Sequence, residues 1–172
     1  MVIWIIGLSG SGKTTIGSEV YRQWKQTQAN TVLIDGDEIR RIFRHNLSAD
    51  CYTIDARRIN AERIIEICSW LDSQQINLVC CLLSIFPEHQ ARNRELYKKY
   101  FEVFIDTPMD KLAQRDVKNL YSPAQRGEIS NVVGVDIPFT KPPGPDMTID
   151  NREDGIDVKS VAREILIRAG AT

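Results

Sequence analysis

Apolar positions along this chain follow two alternating rhythms. Short β-branched or continuous apolar runs at residues 2–6, 31–34, 78–83, 101–105 and 147–150 predict about five strands. Between them, Ile16, Val20 and Trp24 recur every four residues and predict a helix over 14–26. Ala61, Ile64, Ile65, Cys68 and Leu71 predict an amphipathic helix with Thr53 or Asp55 as its cap. A polar helix is expected over 88–99, and Val158, Val161, Ala162, Ile165 and Leu166 define a closing one. Alternating strands and helices argue for an α/β fold, a parallel sheet covered on both faces. Residues 38–55 are irregular and arginine-rich and read as a solvated helix followed by a surface loop. The rhythm breaks again over 115–145, where Gly127, Gly134, Pro138, Pro142, Pro143 and Pro145 crowd together. An irregular segment of that length inside a compact domain predicts a mobile lid. Neither a repeat nor a second domain is visible, so residues 1–172 read as one domain.

Composition narrows the partners. With 42% hydrophobic and 26% charged residues and a formal charge of −1, the chain is ordinary globular material without a basic field for nucleic acid. Cys51, Cys68, Cys80 and Cys81 lack CxxC spacing, and two adjacent strand cysteines point to opposite faces. They read as reduced thiols rather than a metal site. The longest nearly apolar stretch, 78–86, is too short to span a bilayer, and no basic region precedes the first apolar run. A soluble, cytoplasmic protein is expected.

The chemistry begins where the first strand ends. In VIWIIGLSGSGKTT, a strand runs into a glycine loop that opens a helix, the arrangement of a phosphate-binding loop. Gly7, Ser9, Gly10, Ser11 and Gly12 would turn backbone N–H groups around phosphates, with Thr14 and Thr15 opening the helix. Lys13 would supply a cation for the outer phosphates and Thr14 a hydroxyl ligand for Mg2+. After the second strand come Asp35 and Asp37, delivered to the carboxyl ends of the strands where open parallel sheets bind ligands. Arg40, Arg41 and Arg44 follow, with His45 nearby, and Arg57 and Asn60 stand three residues apart on one helix face. No NKxD string is present, so switch-type guanine recognition has no visible residues. Carboxylates, arginines and a lid around a phosphate loop fit phosphoryl transfer to a small molecule.

GLSGSGKTT, IDGDEIR, the Arg57 to Asn60 pair, EVFIDTPMDKLAQRDVKNLY and GEISNVVGVDIPF, in this order, resemble the adenylylsulfate (APS) kinase family over nearly the whole chain. The resemblance implies transfer of the γ-phosphoryl group of MgATP to the ribose 3′-hydroxyl of adenosine 5′-phosphosulfate. It implies Asp37 or Asp35 as the carboxylate nearest the acceptor hydroxyl, with Asp37 preferred, and Lys13 on the donor phosphates. Arg40, Tyr52, Arg57, Asn60, Leu83, Ser84, Lys118 and Val132 match acceptor-side or lid positions, and Arg115 a lid arginine near ATP. Ser84 is a binding position, since no base is evident beside it. Homodimers are common in the family, although the residues leave the oligomeric state open.

The departures all fall on the acceptor side. Val132 stands where the family has a base-stacking phenylalanine, and Ser84-Ile85-Phe86-Pro87 replaces a Ser-Pro-aromatic-Arg run. Glu38 replaces an asparagine, Ala56 an aspartate, and about three extra residues lie between Arg40 and Tyr52. These changes open a second acceptor, cytidine diphosphoramidate, whose smaller base could tolerate Val132. A catalytically silent nucleotide-binding regulator is the alternative of another class, in which Lys13, Thr14, Asp35 and Asp37 would be surplus.

Overall fold

Six consecutive buried residues make β1 (Val2–Gly7) the centre of the molecule. A strand buried on both faces belongs inside a parallel sheet. In the computed structural model, which describes residues 1–44, 49–116, 118–153 and 155–171, β1 pairs with β3 (Asn77–Leu82) on one side and β4 (Tyr100–Asp106) on the other. β2 (Thr31–Asp35) and β5 (Met147–Asp150) form the edges, giving an all-parallel sheet in the order β2-β3-β1-β4-β5. The five expected strands are thus present, each within one or two residues of its predicted bounds.

Alternation along β1 sorts the core. Ile3 and Ile5 join Val79, Cys81, Val103, Ile105, Met147 and Ile149 beneath α1 (Lys13–Thr27) and α7 (Val158–Ala169). Val2, Trp4 and Ile6 join Leu78, Cys80 and Leu82 beneath α3 (Ile54–Ser73), with Tyr97 closing that side. Cys80 and Cys81 therefore face opposite ways, as strand geometry requires, and all four cysteines are free and buried. At Gly17 α1 lies tight on the sheet: a Cβ there would lie 2.1 Å from Cys81 Sγ. Thr53 caps α3 by accepting the Ala56 N–H at 3.3 Å. The polar helix α4 (Pro87–Leu96) stops three residues earlier than expected, because Tyr97 turns extended and packs on Trp4. Among the described residues no helix is long and apolar enough to cross a membrane.

The segment over 115–145 is more structured than its composition predicts. It is preceded by α5 (Met109–Arg115), which the sequence reading missed, and contains α6 (Tyr121–Gln125). Asp116 accepts N–H bonds from Leu120, Tyr121 and Ser122, fixing the entry to α6. Leu112, Tyr121, Ala124, Val132, Val133 and Ile137 then build a third apolar cluster with Leu8. The proline-rich segment is thus a folded cap over the carboxyl ends of β1 and β3.

Candidate active site

The phosphate loop is held in shape from several directions. Gly12 takes φ +94° at the N-cap of α1, a left-handed conformation that disfavours any side chain with a Cβ. Gly7 lies under the buried Ser11, and the Ser9 carbonyl accepts the Tyr121 hydroxyl at 2.7 Å, tying the loop to the cap. Lys13 Nζ donates to the Leu8 carbonyl at 2.6 Å, folding back over the loop it follows. Thr14 Oγ1 donates to Asp35 Oδ2 at 2.8 Å, and both Thr14 and Thr15 are exposed.

The two aspartates have different duties. Asp35 caps α2 (Gly36–Ile42), its Oδ1 accepting the Asp37 N–H at 2.9 Å, while its other oxygen meets Thr14. Asp37 opens the helix with an exposed carboxylate and is paired with Lys118 from the cap. Partial desolvation pushes the Asp37 carboxyl upward, but Lys118, Lys13 and Arg40 outweigh it and hold the group below its ordinary range. The hydroxyl and carboxylate at Thr14 and Asp35 are hard oxygen donors of the kind Mg2+ takes beside substrate phosphates, so the residues present fit that ion.

Arginines converge on the far side of Asp37. Arg40, expected on a solvated helix, is 6% exposed; it donates to the Cys51 carbonyl and lies 5.0 Å from the Tyr52 ring. Arg57 lies 5.4 Å from the same ring and donates to the carbonyls of Tyr52 and Asn131, both at 2.8 Å. Among the described residues neither guanidinium has a carboxylate at ion-pair distance. Burial and the neighbouring Arg40 charge lower the pKa of Arg57. Two neighbouring cations without a carboxylate at ion-pair distance are costly unless an anion joins them. Asn60 is buried, donating to the Gly36 carbonyl at 3.3 Å, which leaves its Oδ1 facing away. Among the described residues Ser11 Oγ, Arg40 Nε and Asn60 Oδ1 are buried without partners, so this region holds unused hydrogen-bonding capacity.

Leu83 and Ser84 follow the carboxyl end of β3, the first partly buried against the cap cluster and the second buried. Val132 is buried in the same cluster, its N–H donated to Asp136, and the carbonyl before it, that of Asn131, accepts Arg57. Glu38, expected to add a carboxylate beside the acceptor, is paired with Arg41 at 2.7 Å on the exposed side of α2. His45 and part of the insertion after Arg40 fall on residues 45–48, outside the described residues. A cavity of about 460 Å3 lies beside this region, between the end of β4 and residues 134–141, and shares only Leu8 with the phosphate loop.

Asn151 went unnoticed in the sequence. It is buried, donates from Nδ2 to the Ser11 carbonyl at 2.9 Å, and its own carbonyl accepts Arg115 Nη2 at 3.4 Å. The signal was legible: Met147 and Ile149 occupy the buried register of β5, and the next position in it is an asparagine.

Burial lowers the Lys13 ammonium to a pKa of about 8, with Lys118 adding to the fall and Cys81, Asp37 and Asp35 opposing it. A depressed lysine pKa makes burial cost stability below pH 8, a cost that fades as pH rises toward 10.5. A bound polyphosphate favours the charged form. Nucleotide binding at pH 8 is therefore expected to take up roughly half a proton, and affinity to fall as pH rises further. Calorimetric titrations in buffers of different ionisation enthalpy read the uptake, which Lys13→Met should abolish; equal heats in all buffers would refute it.

This geometry has counterparts. The model of the adenylylsulphate kinase family matches residues 1–150. A cytidine diphosphoramidate kinase of Campylobacter jejuni is 40% identical over 150 residues, covering 87% of this chain and 85% of that protein. An adenylyl-sulfate kinase of Pseudomonas aeruginosa is 35% identical over 159 residues, covering 91% and 80%. The structure of the Mycobacterium tuberculosis APS kinase in complex with AMPPNP and APS superposes with a TM-score of 0.84 at 29% identity, covering 98% of this chain and 96% of that one. A phosphate loop backed by paired aspartates, with a family match over most of the chain, leads to one conclusion: this protein belongs to the adenylylsulphate kinase family and is a kinase.

Proposed function

We propose that the protein transfers the γ-phosphoryl group of MgATP to the ribose 3′-hydroxyl of adenosine 5′-phosphosulfate. The observation that carries this reading is the juxtaposition of an anion-ready pair, Arg40 and Arg57, with the carboxylate of Asp37, itself within the fields of Lys13 and Lys118. The arginines would bind the charged end of the acceptor, and Asn60 would orient it. Asp37 would accept the proton of the hydroxyl as it attacks, and Lys13 would follow the charge on the transferring phosphoryl group. Asp35 and Thr14 would hold Mg2+, which would supply neutralising charge for the donor phosphates. Tyr121 and the apolar cluster of the cap would keep water out of the space between donor and acceptor. Four free, buried thiols suit a reducing cytoplasm.

A second acceptor, cytidine diphosphoramidate, is favoured by the 40% identity to a kinase of that name and by Val132 in place of a stacking phenylalanine. ADP release measured with each acceptor decides between them. Adenosine 5′-phosphosulfate is expected to give the higher kcat/KM. A higher value for the cytidine compound moves the acceptor to the second reading, and no release with either, despite ATP binding, overturns nucleotide 3′-phosphorylation.

A further inference from the structure

We infer that Asn151 is a positioning residue for the donor nucleotide: it sets the orientation of the Ser11–Gly12 peptide, and with it the aim of the phosphate loop. The inference rests on reading that loop as the ATP site.

The backbone of Asn151 has little freedom. β4 and β5 run parallel with Asp106 opposite Asp150, and the Asn151 N–H donates to the Asp106 carbonyl at 2.8 Å, extending the ladder by one residue. Alternation from Met147 through Ile149 turns the next buried position into the sheet under the loop, and Asn151 is 6% exposed there. An amide in an apolar register would be costly without a partner. Its partner is the Ser11 carbonyl at 2.9 Å, which Thr107 Oγ1 also approaches at 3.5 Å. Nδ2 lies 3.3 Å from the point where a Cβ on Gly12 would be, so amide and loop are in direct contact.

The consequence follows from the planarity of the peptide bond. In a trans peptide the carbonyl of Ser11 and the N–H of Gly12 point in opposite directions. Fixing the carbonyl outward, against Asn151, therefore turns the Gly12 N–H toward the concave side, where phosphate oxygens would bind. The left-handed φ of Gly12 permits that orientation without imposing it. Asn151 also joins the loop to a second donor-side group, since its carbonyl and that of Glu153 accept Arg115 Nη2 at 3.4 and 3.5 Å. One residue at the end of β5 thus registers both the loop and the arginine of the cap.

Asn151→Asp keeps the shape but cannot donate to the Ser11 carbonyl, and Asn151→Ala removes the amide. Each is expected to weaken MgATP binding by titration calorimetry about tenfold, with KM for ATP rising in parallel, as fits one lost hydrogen bond in a buried setting. The acceptor KM and kcat should stay within about twofold. A merely structural asparagine would instead move donor and acceptor constants together with the melting temperature, and that result, or unchanged ATP affinity, overturns the inference. Should Asn151→Ala fail to fold, Asn151→Asp and the amide NMR shift of Gly12, expected to move between wild type and variant without nucleotide, carry the test. Wild-type protein is titrated first: absence of ATP binding there refutes the donor-site reading rather than the role of Asn151.

Discussion

Replacing Asp37 with asparagine is expected to lower kcat about 10³-fold while leaving MgATP affinity within a few-fold of wild type. The size follows from the 10²–10⁴-fold, roughly, that a positioned general base contributes. The selectivity follows from the division of labour between the two aspartates. Asp35 meets Thr14 and caps α2, so its loss should be felt in metal and donor binding. Asp37 makes neither contact and faces the arginines. Asparagine keeps the volume and a polar tip but accepts no proton. Partial desolvation favours the neutral carboxyl, yet Lys118, Lys13 and Arg40 keep it charged, so its pKa lies below the usual carboxylate value. The Asp37 contribution to rate should then be flat through neutral pH and disappear only in acid, whereas decline above pH 8 belongs to Lys13. Steady-state kinetics and ATP titration of Asp37→Asn and Asp35→Asn side by side check the division. Equal turnover in Asp37→Asn and wild type would remove the base assignment, and a parallel loss of ATP affinity would move Asp37 to the donor side.

How much of this was legible beforehand depended on the range of the interaction. The strand expected over 2–6 and the loop after it are local: a continuous apolar run, glycines and a lysine at fixed spacing suffice, and the structure extends the strand by one residue to Gly7 and starts the helix at Lys13. Helices α1, α3 and α7 also announced themselves, because their apolar faces repeat at helical spacing. Helix α5 did not. Its seven residues hold one fully buried side chain, Leu112, too little for a period to emerge. The folded cap was missed for another reason: its stability comes from Leu8 and the distant Val132, Val133 and Ile137, and composition alone records only the prolines and glycines between.

The site shows the same divide. That Asp35 and Asp37 would reach the phosphate loop could be read from strand direction. Which of them would be consumed by the helix cap could not, since either aspartate suits an N-cap and only the fold gives one of them Thr14 as a neighbour. Arg40 read as solvated because its neighbours are charged, whereas the structure buries it between α2 and the turn carrying Cys51 and Tyr52. For Asn151 the alternation of β5 marks a buried amide, but its partner required knowing that β5 lies beside β4, which brings the side chain under a loop 140 residues earlier in the chain.

The arginine pair supplies the second large effect. Arg57→Ala is expected to raise the acceptor KM about 10²-fold, since charge-assisted hydrogen bonds are worth about 1.5–3 kcal/mol each. ATP affinity should not change, because among the described residues no hydrogen bond of Arg57 reaches the phosphate loop: its partners are Tyr52 and Asn131. Arg57→Lys should not restore the acceptor, as an ammonium keeps the charge but loses the planar fork. Stability is expected to move little, within about 3 °C in melting temperature, because two bonds to carbonyls are lost while repulsion from Arg40 is relieved. Arg40→Ala should differ on that axis, since its buried guanidinium holds the Cys51 carbonyl and its removal leaves a gap in the turn. Kinetics with both substrates, alongside thermal unfolding, separate these outcomes. If Arg57→Ala raised donor and acceptor KM equally, or left the acceptor KM unchanged, the two guanidinium groups would be a packing feature of Tyr52 and the anion site would have to be sought elsewhere.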